Sequence, residues 1–143
     1  MEYKNALIGK TVTAVHLAAD KQSIRFDVAG DETTIVARCD GDCCSHTWIE
    51  DVIDPEAVIG HEVISVSNLD LPESLRQKTT TDNYEEEMQY YGCAIETAGG
   101  RCTIAYRNSS NGYYGGSLDW PGESYYGGVH GQNVSTDEWK KLA

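Results

Sequence analysis

The segment RNSSNGYYGG, residues 107–116, concentrates side chains suited to binding a polar, ring-bearing molecule. An arginine guanidinium forms paired hydrogen bonds with a phosphate or carboxylate. Tyrosine rings stack on other rings, asparagine amides both donate and accept hydrogen bonds, and glycine lets the backbone approach a ligand closely. We therefore predict a binding site formed by Arg107, Asn108, Ser109, Asn111, Tyr113 and Tyr114.

The same segment is also consistent with an ordinary β-hairpin. Asn111-Gly112 is a strong hairpin dipeptide, and alternating tyrosines suit a strand. A hairpin can carry a binding site, so the sequence leaves both interpretations open.

A second segment, CDGDCCSHTWIE at residues 39–50, raises the question of thiol or metal chemistry. Cys43 or Cys44 at a helix start would have a lowered pKa, and with His46 this suggests a thiol-dependent enzyme as one alternative. The spacing C-x3-C-C-x-H, which begins at Cys39, matches no standard zinc site. The favoured interpretation is a tight junction with buried thiols, so we predict no catalytic residue, metal or cofactor.

The charge balance limits the partners of the chain. Eleven basic and 23 acidic residues give a net charge of −12, which repels duplex nucleic acid and anionic membranes. No apolar run approaches the roughly 20 residues of a membrane span, and the N-terminus does not resemble a signal peptide. The sequence thus predicts a cytoplasmic protein. Its acidity also suggests a second alternative, an acidic inhibitor that binds a host nucleic-acid-handling enzyme.

The elements predicted around these segments belong to one α+β domain, residues 1–143. Period-two alternation at Ile24, Phe26 and Val28 predicts an antiparallel three-stranded meander within the first forty residues. A C-terminal hairpin is predicted to turn at Gly99-Gly100. In that register Cys93 and Cys102 point toward the core and lie about four residues apart along the ladder. Arg107 is the last residue on the opposite, exposed face of the second strand.

Two or three short helices complete the predicted fold. Residues 45–53 have a capping serine and an apolar face, and Pro55 suits the first turn of another short helix. Ser135 and Glu138 have the spacing of a capping box, which predicts a helix over 135–143. Residues 72–87 are polar and predict a mobile loop.

The motif DGDCCSHTWIE at residues 40–50, together with residues 107–116, resembles a family of small proteins frequent in phages and prophages, over about residues 7–120. In size and build the chain is similar to anti-Thoeris sponge proteins, which oligomerise and sequester cyclic ADP-ribose-type signals or cyclic oligonucleotides without cleaving them. The resemblance implies a homo-oligomeric, non-enzymatic protein that holds a small nucleotide-like signalling molecule. It implies a pocket wall at residues 107–114, with further contributions from Arg38, Trp48 and Arg101.

Overall fold

Nine β-strands form in the part of the chain that the structure describes. This computed structural model describes residues 5–30, 34–41, 46–69, 87–110, 116–121 and 138–143. The strands are β1 (Val12–Ala18), β2 (Ser23–Val28), β3 (Thr34–Gly41), β4 (His46–Ile53), β5 (Val63–Leu69), β6 (Glu87–Thr97), β7 (Gly100–Ser110), β8 (Gly116–Asp119) and β9 (Trp139–Lys141). One 3-10 turn, Pro55–Val58, is the helical element in these residues.

Alternation of apolar and polar residues produces the first sheet. In β2 the side chains of Ile24, Phe26 and Val28 are buried, whereas Arg25 and Asp27 are partly exposed. The sheet has the strand order β8-β3-β2-β1-β9, and its neighbouring strands run antiparallel. The predicted meander is therefore confirmed, and β8 and β9 extend it at its two edges.

The second sheet has the strand order β4-β7-β6-β5 and is also antiparallel. Its apolar face and that of the first sheet contribute to one hydrophobic core. Fully buried side chains from both sheets include Val15, Ile24, Phe26, Ile49, Ile95 and Ile104. Burying one aliphatic or aromatic side chain of this size contributes about 1.5–3 kcal/mol, so the shared core holds the two sheets together.

The hairpin between β6 and β7 is confirmed, but its turn lies one residue earlier than predicted. Thr97 pairs with Gly100, so the turn is residues 98–99. A Cβ at Gly99 would lie 2.5 Å from Cδ2 of His61 and 2.8 Å from the carbonyl oxygen of Ala57, which explains the glycine at this position.

The corrected register changes the spacing of two thiols. Cys93 pairs with Ile104, and Ile95 pairs with Cys102. The thiols are therefore diagonal neighbours two positions apart on the core face, not four. Both are buried and outside any disulfide, as predicted.

Of the predicted short helices, the turn that begins at Pro55 is present as the 3-10 turn Pro55–Val58, but the described residues are otherwise almost entirely antiparallel sheet and do not support two or three helices. Residues 46–53 form β4, which pairs with β7 from His46 to Ile53. In this strand Thr47 and Ile49 are buried while Trp48 and Glu50 are only partly so, which is the period-two pattern of a strand. Pairing with β7 satisfies the backbone and buries one face, and these gains outweigh the local helical pattern.

The predicted C-terminal helix is also wrong where the structure describes it. Residues Trp139–Lys141 form β9, which pairs with the open edge of β1. Residues 135–137 lie outside the described residues, as do residues 72–86 of the predicted mobile loop, and Glu87 begins β6. The assignment of residues 1–143 to one domain stays a prediction.

Candidate functional site

A cleft of about 480 Å³ lies between β8 of the first sheet and the β5–β6 side of the second. This volume is within the usual range for small-molecule sites. A smaller cavity of about 240 Å³ shares Asn68, Tyr106 and Leu118 with it and extends toward Trp120. The two cavities therefore adjoin each other, and we call them together the inter-sheet cleft.

The walls of the inter-sheet cleft offer aromatic rings and hydrogen-bonding groups. Tyr91 and Tyr106 stack with ring centroids 5.1 Å apart, and the Gly116 N–H lies 3.5 Å from the Tyr91 hydroxyl oxygen. Among the described lining residues of its larger part, Asp119 is the one with a carboxylate, and none is Arg, Lys or His. The cleft is thus suited to a ring or a sugar rather than to a bare phosphate.

Arg107 lies on the outer face of the second sheet, as predicted, but it is buried rather than exposed. Its relative exposure is 7%. The guanidinium carbon lies 5.1 Å from the centroid of the Tyr90 ring, and Nη1 lies 3.6 Å from Oε1 of Glu50. Trp48, which pairs with Arg107 across the strands, donates its indole N–H to Glu50 at 2.7 Å. We call these four residues the arginine cluster.

The arginine cluster and the inter-sheet cleft share one residue. Tyr90 lines the cleft and also carries the Arg107 guanidinium over its ring. The positive charge of Arg107 therefore lies behind one wall of the cleft. On its other side the cluster continues to His46, whose ring stacks on Trp48 with centroids 5.2 Å apart.

Asn108 has a structural role that the sequence did not indicate. It is fully buried, and its Oδ1 accepts a hydrogen bond from the Thr47 hydroxyl at 2.7 Å. The next residue, Ser109, is half-buried and pairs with His46. Asn108 therefore joins β7 to β4 inside the core, and its predicted contact with a ligand stays a prediction.

The other predicted ligand contacts are dispersed. Arg101 lies six residues from Arg107 on β7, about 20 Å away at the usual strand rise, and forms an exposed ion pair with Glu96. Arg38 belongs to the first sheet and pairs across the strands with Asp119, so it borders the cleft. Asn111, Tyr113 and Tyr114 lie outside the described residues; their segment connects β7 to Gly116, a residue of the cleft wall.

Sequence reasoning missed most of the cleft. Tyr90 and Tyr91 begin a Tyr-Tyr-Gly triplet that recurs at residues 113–115 and 125–127, and this repeat was the one signal that pointed to them. Glu50 stands two residues after Trp48, which places both on one face only if the segment is a strand. Asn68 carries no local signal at all.

The described thiols are poorly suited to nucleophilic chemistry. Burial, with smaller contributions from Asp119 and Asp20, raises the pKa of Cys39 to about 12. Burial and then the neighbouring Cys93 raise the pKa of Cys102 to about 12. Both groups therefore remain protonated near neutral pH, and the thiolate is the reactive form.

Two residues of the proposed thiol chemistry, Cys43 and Cys44, lie outside the described residues. Within the described part of the chain, no cluster of three or more His, Cys, Asp or Glu residues could hold a metal ion.

The raised thiol pKa values predict alkaline destabilisation. Below pH 9.0 both folded and unfolded thiols hold their protons; between 9.0 and about 12 only the unfolded thiols release them, which favours unfolding. The free energy of unfolding, measured by urea denaturation, should therefore be lower at about pH 10 than at about pH 8. The fall should be smaller in a Cys39→Ala, Cys102→Ala variant, and an equal fall in both proteins would contradict the prediction.

The arginine cluster predicts that Glu50→Gln destabilises the fold. The substitution removes the carboxylate beside a guanidinium that is only 8% exposed, and removing one partner of a buried charge is costly. We expect a loss of about 1–2 kcal/mol in the free energy of unfolding, measured by chemical denaturation. The matched control is Glu96→Gln, whose exposed ion pair with Arg101 contributes under about 1 kcal/mol. Equal losses for the two variants would show that Arg107 does not depend on Glu50.

No helix in the described ranges is long and apolar enough to cross a membrane.

Comparison with known proteins places the chain in a family. No curated protein matches the chain significantly, and no solved structure does. A family model described as a domain of unknown function, DUF7448, matches residues 5–120. That range contains β1 to β8, and therefore the arginine cluster and every described residue that lines the inter-sheet cleft. The chain belongs to the DUF7448 family.

Proposed function

We propose that this protein is a phage-type anti-defence protein that sequesters a small nucleotide-like signal, a cyclic nucleotide or an ADP-ribose derivative, without cleaving it. It acts in the cytoplasm of the host cell. The observation that carries the proposal is the inter-sheet cleft, which combines the stacked rings of Tyr91 and Tyr106 with amide and backbone groups. The resemblance of residues 40–50 and 107–116 to phage proteins supports the class of ligand.

The distribution of charge supports a particular orientation of the ligand. A base or ribose occupies the cleft, where Tyr91, Tyr106 and Asn68 offer ring contacts and hydrogen bonds. The phosphates stay at the mouth, because Asp119 would repel them inside.

Binding without cleavage is supported by the chemistry of the wall. General acid–base catalysis needs groups with tuned pKa values, and nucleophilic catalysis needs an activated nucleophile. The thiol of Cys93, which lines the smaller part of the cleft, is buried, and Cys39 and Cys102 have pKa values raised to about 12. Retention of an intact ligand fits these groups better than turnover does.

Recovery of bound ligand tests the proposal. Purified protein is incubated with cyclic dinucleotides, cyclic ADP-ribose or linear ADP-ribose, desalted, and heat-denatured, and the released ligand is identified by mass spectrometry. We expect one of them to be recovered intact. A ligand of altered mass would indicate an enzyme, and retention of none would exclude this class of ligand.

A matched pair of variants on β5 locates the site. Asn68→Ala removes an amide from the cleft, whereas Ser65→Ala changes the same strand at a position that does not line it. Losing one hydrogen bond of about 1 kcal/mol should weaken binding about fivefold for Asn68→Ala. Equal affinities of the two variants would place the ligand elsewhere.

The net charge of −12 favours a second candidate, an acidic protein that binds and inhibits a nucleic-acid-handling enzyme. Such binding would be electrostatic and would weaken steeply with salt. Capture of a basic enzyme from host lysate at low salt, lost at high salt and accompanied by inhibition, would support it. An empty pull-down at low salt would count against it.

A further inference from the structure

Strand β5 differs from the other strands at the sheet edges. In the described residues, the edges are β8 and β9 in one sheet and β4 and β5 in the other. Three of these strands carry ionisable side chains: Asp119 on β8, Lys140 and Lys141 on β9, and His46, Glu50 and Asp51 on β4. The sequence of β5, VISVSNL, contains no ionisable residue and no proline. Charges and prolines are the usual protection of an edge against pairing with another chain.

The outward backbone groups of β5 follow from its pairing with β6. Val63 directs its N–H and C=O away from β6, because they bond to Lys10 and Gly9 at 2.9 Å. The ladder then shifts by one residue between Val63 and Ser65. Since bonding direction alternates along an antiparallel strand, Ser65 bonds to β6, and Val66 and Asn68 direct their backbone groups to the open edge.

We propose that two copies of this chain associate by antiparallel pairing of β5 with β5. A twofold axis at Ser67 places Val66 of one copy opposite Asn68 of the other, and each pair exchanges two backbone hydrogen bonds. The two four-stranded sheets then form one continuous eight-stranded sheet.

A second copy suits this edge better than a different chain does. Antiparallel pairing about a twofold axis is self-complementary, so each copy offers the groups that the other needs. Two chains of net charge −12 repel each other, and β5 is the edge where no additional like charges meet. Ile64, which is 63% exposed, is the exposed large hydrophobic residue of the described chain and lies on this strand.

This pairing would also extend one wall of the inter-sheet cleft. Asn68 and Leu69 of β5 line it, so the β5 strand of the second copy would lie along the same wall. The inference does not depend on the proposed ligand, because it rests on the backbone and charge of β5.

Cysteine cross-linking at the twofold axis tests the proposal. Ser67 would oppose itself in a non-hydrogen-bonded pair, with Cα atoms about 4.5 Å apart, which is within the span of a disulfide. Mild oxidation of the Ser67→Cys variant of the full chain should therefore give a covalent dimer on a non-reducing gel. Light scattering of the wild-type protein over a concentration series should show a reversible dimer.

The matched control is Ser65→Cys, on the same strand and face. Its two sulfurs would lie about four residues apart along the ladder, roughly 13 Å, and should not cross-link beyond the wild-type level. Cross-linking of both variants to the same extent would indicate random collision and overturn the proposal. A wild-type protein that stays monomeric at every concentration, with no Ser67→Cys dimer, would overturn it as well.

Discussion

Replacing Phe26 with alanine is expected to lower the free energy of unfolding by about 3–5 kcal/mol, a larger loss than we expect from Glu50→Gln or Gly116→Ala. Phe26 has no exposed surface and lies on β2, the central strand of the five-stranded sheet. Its ring stacks on Trp120 with centroids 5.6 Å apart. The substitution therefore loses the free energy gained by burying the apolar ring, and it leaves a cavity between the sheets. Urea denaturation followed by circular dichroism measures the loss.

The controls separate packing from general damage. Phe26→Leu keeps most of the volume and should cost much less than Phe26→Ala. Val36→Ala, at a half-buried position on the adjacent strand β3, should cost under about 1.5 kcal/mol. If Phe26→Ala costs no more than Val36→Ala, the core is not organised around Phe26. Because the Trp120 ring stacks on Phe26, its fluorescence should also change in Phe26→Ala.

Replacing Gly116 with alanine should lower the free energy of unfolding by about 2–3 kcal/mol, near the upper end for overpacking. The added Cβ would collide with the Thr47 hydroxyl oxygen, and it would lie 2.9 Å from the Thr47 methyl and 3.1 Å from the Asn108 Cβ. Threonine is stiff about its first side-chain torsion, and Thr47 is held by its hydrogen bond to Asn108. Strand β8 must therefore move away from β4 and β7.

A double-mutant cycle identifies the cause of that loss. Thr47→Ala removes both of the Thr47 atoms that the new Cβ would meet, at the cost of the hydrogen bond to Asn108. The loss in Gly116→Ala, Thr47→Ala should be smaller than the sum of the two single losses, since neighbouring sites are not additive. Strict additivity would mean that the collision with Thr47 is not the source of the effect. Since Gly116 lines the cleft, ligand affinity should fall in Gly116→Ala alone and recover partly in the double variant.

Secondary structure was predictable from the sequence where apolar and polar residues alternate regularly within one strand or hairpin. The alternation in β2 and the hairpin β6–β7 depend on residues near each other in the chain, and both were predicted. Residues 46–53 show the limit of such reasoning. Trp48, Ile49 and Val52 fit one face of a helix, but residues of β7 that lie fifty or more positions later pair with the segment and make it a strand. No local pattern contains that information.

Arg107 shows the same limit at the candidate site. Alternation along β7 predicted that it faces outward, and this was correct. Its burial depends on Trp48 and Glu50 from β4 and on Tyr90 from β6. A side chain's face follows from its own strand, whereas its exposure follows from its neighbours on other strands.

The sequence by itself determined the acidic charge, the period-two faces of β2 and β7, and the inward orientation of Cys93 and Cys102. These properties depend on residue type or on spacing within one strand. Only the tertiary structure decided the inter-sheet cleft, the arginine cluster and the open edge of β5. Each of these requires strands from distant parts of the chain, and hydrogen-bond pairing across a sheet together with a shared core fixes those neighbours.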